Sequence, residues 1–202
     1  SLNRDIFIRT MCLTLTLASF ALLGTRFGTE ILAANAVLMN LQNLTAFGLD
    51  GFAQAAEVLV GKEIGRKSPE NLRTAVIISG KWAIFTAAAF SGFYFIFGDM
   101  VIHLLTSLDT IRDISSDYLI WVIILPVLSI WSFQLDGIFI GATAGGSMRN
   151  GMVISTICYA LCVYFLIPLW GNHGLWASYS IFIVMRAITL AIKYPEIEKR
   201  AI

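Results

Sequence analysis

Residues 118–144 read YLIWVIILPVLSIWSFQLDGIFIGATA, and this stretch decides the fold class. Asp136 is its one charged side chain in 27 residues. A membrane-spanning helix needs about 20 mostly apolar residues, so the stretch is long enough to cross a bilayer. Its apolar residues are continuous and do not alternate with polar ones, as they would in a membrane β-barrel. We therefore predict a transmembrane helix, which Pro126 should kink while freeing a backbone carbonyl.

The same pattern occurs six times along the chain. The apolar segments are residues 6–24, 30–60, 69–98, 118–144, 151–170 and 175–193. Charged residues make up 13% of the 202 residues, whereas about a quarter are charged in a soluble domain. This composition excludes soluble globular, disordered and nucleic-acid-binding proteins. The sequence predicts an all-α, polytopic membrane protein with six transmembrane helices, and residues 99–116 are expected to form an interfacial helix on the outer side.

The cations are distributed unevenly between the two sides. If the first helix begins in the cytoplasm, ten cations fall in the inner segments, and two, Arg26 and Arg112, fall in the outer loops. This asymmetry is typical of the positive-inside rule and predicts that both termini are cytoplasmic. The inner cations are Arg4, Arg9, Lys62, Arg66, Lys67, Arg73, Arg149, Lys193, Lys199 and Arg200.

One tripeptide occurs twice within the apolar segments. Leu49-Asp50-Gly51 lies in the second segment and Leu135-Asp136-Gly137 in the fourth, and both helices should run from outside to inside. Asp50 precedes Lys62 by 12 residues and Asp136 precedes Arg149 by 13. Each carboxylate is therefore about 18–20 Å from the inner charges, at about 1.5 Å per residue. We expect the two carboxylates at similar depth, well inside the bilayer.

Polar residues line one face of each of these two helices. Charged groups at such depth cost at least a few kcal/mol, so they normally face an interior cavity and often mark an ion or substrate route. We therefore predict that the two faces line a cavity for the substrate or the coupling ion. The second helix contributes Asn35, Gln42, Asn43, Asp50, Gln54 and Glu57, and the fourth contributes Ser129, Ser132, Asp136 and Thr143.

Ion pairing is an alternative role for the charged members of this set. Lys81 on the third helix reaches the depth of Asp50, and Arg186 on the sixth helix reaches that of Glu57. Structural or gating salt bridges between these pairs therefore stay open beside transport chemistry. The sequence indicates no cation at the depth of Asp136. We expect this carboxyl to lack a counter-ion and to exchange protons near neutrality, since burial disfavours the charged form.

The assembled motifs resemble those of the multidrug and toxic compound extrusion (MATE) transporters, specifically the DinF-like branch. The resemblance extends over nearly the whole chain. It rests on LNRDI at 2–6, LDGFA at 49–53 with Gly61 and Gly65, LLTSL at 104–108, YLIW at 118–121, ILPV at 124–127, LDG at 135–137, FIGAT at 139–143, MRN at 148–150 and GNH at 171–173.

The resemblance implies that residues 1–202 form the C-terminal lobe, helices seven to twelve, of a two-lobed (6+6) transporter. It implies a secondary active antiporter that exports lipophilic, cationic drugs or metabolites in exchange for protons or sodium by alternating access. The implied partners are the N-terminal six-helix lobe, the lipid bilayer, a small-molecule substrate and H⁺ or Na⁺. The implied location is a bacterial-type inner membrane. By the same resemblance, Asp136 is the acidic residue of the tenth helix, and the polar face with Asp50 lines the same cavity.

Two other functions share some of these features. A lipid-linked sugar flippase of related architecture should have a cationic cavity to hold pyrophosphate, whereas the predicted cavity groups are mainly acidic and amide. An intramembrane aspartyl protease pairs two carboxyls that share a proton. Its Tyr-Asp and Gly-x-Gly-Asp motifs are absent, since Leu49 precedes Asp50 and Leu135 precedes Asp136. The sequence contains no phosphate-binding loop, metal-site spacing or Ser/His/Asp arrangement, so we expect no cofactor, no metal and no enzymatic activity.

Overall fold

The computed structural model describes residues 2–201, and six long helices contain most of them. A short 3₁₀ helix, Thr25–Phe27, connects the first two helices. Within residues 2–201, five of the long helices are apolar enough to cross a membrane, and α2, with 37 residues, is the more polar sixth. The helices are α1 Leu2–Gly24, α2 Thr29–Gly65, α3 Pro69–Leu105, α4 Asp109–Gly141, α5 Gly145–Trp170 and α6 Asn172–Lys199.

The expectation of a separate helix over residues 99–116 is wrong. α3 continues to Leu105, three residues without helical structure follow, and α4 begins at Asp109. Arg112 explains why the chain turns here, because its guanidinium donates to the carbonyl oxygens of His103 and Thr106 and to Asp109 Oδ1. These bonds satisfy carbonyls that the end of α3 leaves without helical partners. The segment is therefore two helix ends held together by one arginine.

α2 packs most closely against α4, at two glycines. A Cβ atom built on Gly137 would lie 2.0 Å from the Ala53 carbonyl oxygen, and one built on Gly141 would lie 2.3 Å from the Glu57 carbonyl oxygen. Both contacts pair residues that are 84 positions apart, so the two helices run in the same direction, as predicted. In this register position 136 is level with position 52, so Asp136 lies two residues, or about 3 Å, farther along the helices than Asp50. The two carboxylates thus lie at similar depth along the bundle.

The other four helices pack around this pair, and a cleft stays open between α1 and α2. α3 packs on both α2 and α4, α6 packs on α4 and α5, and α1 packs mainly on α5. Buried aromatic rings join α1 to α6, where Phe20 contacts Trp176 edge to face with ring centroids 4.9 Å apart. Because α1 contacts α2 only slightly, a cleft separates these two consecutive helices.

Several of the cations predicted to lie on the cytoplasmic side form contacts between helices at one end of the bundle. Arg149 on α5 donates to Asp5 on α1, Arg73 on α3 forms a two-bond ion pair with Glu198 on α6, and Arg200 donates to the Ala142 carbonyl oxygen after α4. At the other end, Trp121 on α4 donates to His173 on α6. The alternation of helix direction on which the charge asymmetry depends is therefore present in the fold.

Candidate functional site

A cavity of about 350 Å³ opens between four helices at the level of the two repeated aspartates. Its volume lies within the range of small-molecule sites, about 300–1,000 Å³. The lining combines apolar side chains with five charged groups on four helices. It comprises Arg9, Leu13 and Leu17 of α1; Gln42, Asn43, Ala46, Asp50, Ala53, Gln54 and Glu57 of α2; Phe133, Asp136, Gly137 and Ile140 of α4; and Tyr179, Ile183 and Arg186 of α6.

Asp136 lies between two arginines on one wall of this cavity. Its Oδ2 atom accepts a hydrogen bond from Arg9 Nη2 on α1 and another from Arg186 Nη2 on α6, each at 2.5 Å. The Arg186, Asp136 and Arg9 side chains are 8%, 9% and 17% exposed. Ionic hydrogen bonds of this kind are roughly twice as strong as neutral ones. Asp136 therefore connects α1, α4 and α6 through a single carboxylate.

The expectation that Asp136 lacks a counter-ion is wrong, because two guanidiniums stabilise its negative charge. Arg9 was missed as a site residue because it was counted among the inner loop cations. Its position inside the first apolar segment was the signal, since a loop cation would lie before residue 6. Asp5, one turn earlier, pairs with Arg149 and leaves Arg9 for the cavity. The charge asymmetry remains, with nine inner cations against two outer ones.

Arg186 pairs with Asp136, so the Arg186–Glu57 salt bridge that the sequence left open is not formed within residues 2–201. The reason is the packing order, because α4 lies between α2 and α6 and its carboxylate meets the arginine first. The Nε atoms of both Arg186 and Arg9 are buried and have no hydrogen-bond partner among residues 2–201. Each guanidinium thus retains donor capacity that Asp136 does not use.

Asp50 does not pair with Lys81 in the described part of the chain. Asp50 Oδ2 accepts a hydrogen bond from Gln54 one turn later, and Lys81 is exposed on α3. Ser79, two residues before Lys81, faces Gln134 on α4, so Lys81 points to the opposite side of α3. Asp50 and the half-buried Glu57 therefore line the cavity without a cationic partner among residues 2–201.

The serines of α4 do not line this cavity, contrary to expectation. Ser129 and Ser132 are fully buried, and their hydroxyls donate to the carbonyl oxygens of Pro126 and Ser129 in their own helix. Pro126 lies inside α4, and the Ser91 hydroxyl of α3 donates to the Ile123 carbonyl oxygen in the preceding turn. The turn that proline disrupts thus obtains a hydrogen bond from the neighbouring helix. The kink itself stays a prediction.

The polar residues of α2 divide into two groups. Gln42 and Asn43 line the cavity, as expected. Asn35 borders a second opening between α1 and α2, but it is buried and its amide is hydrogen-bonded. It exchanges two hydrogen bonds with the Asn172 amide and accepts one from Trp176 Nε1. These contacts hold the outer ends of α2 and α6 together, so Asn35 has a structural role.

Replacing Asn35 with leucine should lower the stability of the protein, because it leaves the Asn172 amide and the Trp176 indole buried without their partner. An unsatisfied buried polar group costs about 1–3 kcal/mol. Thermal unfolding of the purified protein in detergent measures this loss. Asn40→Leu is the matched control, since Asn40 is exposed on the same helix. An unfolding temperature of Asn35→Leu equal to that of the wild type would contradict the structural role.

Comparison with known proteins adds the family context. The sequence matches the MatE family over residues 6–169. It is 41% identical over 191 residues to DNA damage-inducible protein F of Escherichia coli K12, an alignment that covers 95% of this chain and 41% of that protein. The chain therefore spans less than half the length of that relative.

Solved structures share the fold. The chain superposes on a multidrug resistance MATE family transporter in its outward-facing conformation with a TM-score of 0.80 at 20% identity, covering 96% of this chain and 45% of that one. It superposes on the inward-facing conformation of such a transporter with a TM-score of 0.74 at 19% identity, covering 98% and 45% of the two chains. The arrangement of six long helices is therefore one that occurs in both conformations.

Proposed function

This chain belongs to the MatE family, and from that premise we propose that it forms the C-terminal lobe of a proton- or sodium-coupled antiporter that exports lipophilic cations from a bacterial cell. The family consists of membrane transporters and not of enzymes. The N-terminal six-helix lobe completes the transporter, and the bacterial inner membrane surrounds it with both termini in the cytoplasm. Nine inner cations against two outer ones support this orientation.

The observation that carries the proposal is the pair of carboxylates on the α2 wall of the cavity. Asp50 and Glu57 both line the cavity, and neither has a cationic partner within residues 2–201. Unpaired carboxylates in such a setting attract a cation. Leu13, Leu17 and Phe133 supply apolar surface for the body of a lipophilic substrate.

The exchange then proceeds by competition for these carboxylates. In an inward-facing state, the lipophilic cation enters from the cytoplasm and lies against Asp50 and Glu57. After the transporter opens outward, protons or sodium ions bind the same carboxylates and displace the cation. The ion gradient drives the cycle, because the two states differ in their affinity for substrate and ion. Asp136 ties α1, α4 and α6 together through Arg9 and Arg186, so these helices move as one unit.

The flippase alternative gains one argument from the structure, because two arginines line the cavity. Asp136 engages both of them, however, and Asp50 and Glu57 add two further negative charges. The lining as a whole carries more negative than positive charge, which disfavours a pyrophosphate. The antiporter is therefore the better proposal. The aspartyl protease is excluded, since the family consists of transporters.

Efflux of a fluorescent cation by the full-length transporter tests this function. Bacterial cells that express it are loaded with ethidium, and the proton gradient is collapsed with an uncoupler or the sodium gradient with monensin, in separate experiments. We expect one of the two treatments to reduce efflux to the level of cells without the transporter. Efflux that depends on neither gradient would exclude antiport.

A double variant, Asp50→Asn with Glu57→Gln, tests the carboxylates in the same assay. It should abolish ethidium efflux, because the cavity then has no free negative charge on the α2 wall. Asp113→Asn serves as the control, because Asp113 is exposed at the outer end of α4, away from the cavity. Normal efflux by the double variant at equal expression would show that these carboxylates do not bind the cation.

A further inference from the structure

A second cavity, of about 430 Å³, lies at the cation-rich end of the bundle, between the α4–α5 turn, the start of α5 and the end of α6. It shares no lining residue with the cavity around Asp136. Within residues 2–201, the charged members of its lining are both cations. Its polar lining consists of Lys193 and Arg200 together with the hydroxyl and amide side chains of Thr143, Ser147, Asn150 and Thr189.

Both cations of this cavity are available to a ligand. Lys193 Nζ lies 2.7 Å from Glu196 Oε1, but the two side chains are 51% and 52% exposed, and such surface ion pairs contribute little. Arg200 donates one hydrogen bond, to the Ala142 carbonyl oxygen, and forms no ion pair among residues 2–201. A guanidinium has five N–H donors, so Arg200 keeps further donors for an anion.

Uncharged donors surround the same space. The first two N–H groups of α5, at Gly145 and Gly146, have no acceptor among residues 2–201, because a helix N-terminus leaves such groups unsatisfied. Arg149 donates twice to the side-chain oxygen of Asn150, which leaves the Asn150 amide N–H₂ group for a ligand. Asp5 lies 3.9 Å from a Cβ atom built on Gly146, and its ion pair with Arg149 compensates its charge. These donors suit an anion with several oxygen atoms, such as a phosphate group.

The cavity continues into an apolar groove on the outside of α5 and α6. Ile154 and Ile192 line the cavity, and they are 50% and 70% exposed. A Cβ atom built on Gly151 would lie 2.8 Å from Thr189 Oγ1, so the two helices close the groove from behind. Further exposed apolar residues follow toward the middle of the membrane, namely Ile157 and Leu161 on α5 and Ile188 on α6. A cationic recess next to an exposed apolar groove has the polarity of an anionic phospholipid.

We propose that this cavity binds an anionic phospholipid, with the phosphate at Lys193 and Arg200 and the acyl chains along Ile154 and Ile192. Basic pockets between transmembrane helices on the cytoplasmic side bind anionic lipid headgroups. The inference goes beyond the proposed function and takes from it only the orientation that places this end in the cytoplasm. Phosphatidylcholine carries its own cation beside the phosphate, so phosphatidylglycerol, which has none, is the preferred lipid.

Native mass spectrometry of the purified full-length transporter tests this binding. The delipidated protein is titrated in detergent with dioleoyl phosphatidylglycerol or with dioleoyl phosphatidylcholine, and the Kd of the first bound lipid is measured for each. We expect phosphatidylglycerol to bind more tightly. Equal affinity for the two lipids, or tighter binding of phosphatidylcholine, would overturn the inference.

Variants of the two cations locate the site. Lys193→Gln and Arg200→Gln should each weaken phosphatidylglycerol binding about five-fold, the effect of one cation near an anionic lipid, and should leave phosphatidylcholine binding unchanged. Lys193→Arg should bind as the wild type does. Lys62→Gln is the matched control, because Lys62 is an exposed lysine near the same end of the bundle and does not line the cavity. Because Lys193 is exposed, its variant tests the site even if Arg200→Gln loses stability with its bond to Ala142. Unchanged binding by Lys193→Gln, or an equal loss in Lys62→Gln, would overturn the inference.

The deacylated headgroup distinguishes a lipid from a soluble phosphate compound. Glycerophosphoglycerol has the same phosphodiester as phosphatidylglycerol but no acyl chains, so it should not displace the lipid at equal concentration. Displacement would show that the cavity takes a soluble phosphate compound and would overturn the lipid assignment. Failure here is distinguishable from failure of the antiport proposal, because binding is measured without an ion gradient and without a transported cation.

Discussion

Exchanging Asp136 for asparagine is expected to destabilise the transporter by about 3–5 kcal/mol, the usual effect of removing one partner of a buried ion pair. The carboxylate is the shared acceptor of Arg9 and Arg186, and all three side chains are largely buried. Asparagine leaves two guanidiniums close together with no negative charge between them. We also expect efflux to stop, because α1 loses its charged connection to α4 and α6. Thermal unfolding and ethidium efflux measure the two effects separately.

A second change tests whether charge is the cause. Combining Asp136→Asn with Arg9→Gln returns the cluster to one surplus positive charge, so part of the lost stability should return. Non-additivity of this kind is expected for residues in direct contact. Asp50→Asn is the control for the first change, since among residues 2–201 the exposed Asp50 is bound only by Gln54, and its loss should leave unfolding nearly unchanged. If Asp136→Asn unfolds and transports as the wild type does, the ion cluster is not important in the intact protein.

The sequence predicted the helices better than the pairing between them. Continuous apolar segments identify spans because the bilayer imposes a length and excludes unsatisfied backbone groups. Which side chains meet depends on the packing of distant helices. Arg9 and Asp136 are 127 positions apart, and Arg186 and Asp136 are 50 apart. Depth along a helix predicted similar levels for Asp50 and Asp136, which the contact of Gly137 with Ala53 confirms, but depth alone did not give the helix face or the neighbour.

Local chemistry explains the remaining differences. Arg112 was interpreted as an outer loop cation. Its guanidinium, however, donates to the carbonyl oxygens of His103 and Thr106 and so joins the end of α3 to the start of α4. The buried Ser129 and Ser132 share the polar character of cavity residues, but their hydroxyls bond to the preceding turn of their own helix. Serine has this option within a helix, whereas aspartate lacks a hydroxyl donor. A polar stripe therefore predicts a cavity more reliably from its charged members than from its serines.

The repeated tripeptide offers a matched test of helix packing, and Gly137→Ala is expected to destabilise the lobe while Gly51→Ala is not. The two glycines occupy equivalent positions in Leu-Asp-Gly sequences on neighbouring helices. A Cβ on Gly137 would lie 2.0 Å from the Ala53 carbonyl oxygen, whereas one on Gly51 would have no atom within 4 Å. Because the obstacle to Gly137→Ala is backbone, α2 and α4 must separate. Overpacking of this kind costs about 1–3 kcal/mol, or more.

Gly51→Ala isolates the intrinsic effect of the substitution. Alanine is favoured over glycine in a helix interior by about 1 kcal/mol, so Gly51→Ala should unfold at the same temperature as the wild type or slightly above it. Gly141→Ala should behave like Gly137→Ala, since its Cβ would lie 2.3 Å from the Glu57 carbonyl oxygen. Thermal unfolding of the full-length transporter in detergent compares the three variants. Equal unfolding temperatures for Gly51→Ala and Gly137→Ala would contradict the close contact, and with it the register that brings Asp136 to nearly the level of Asp50.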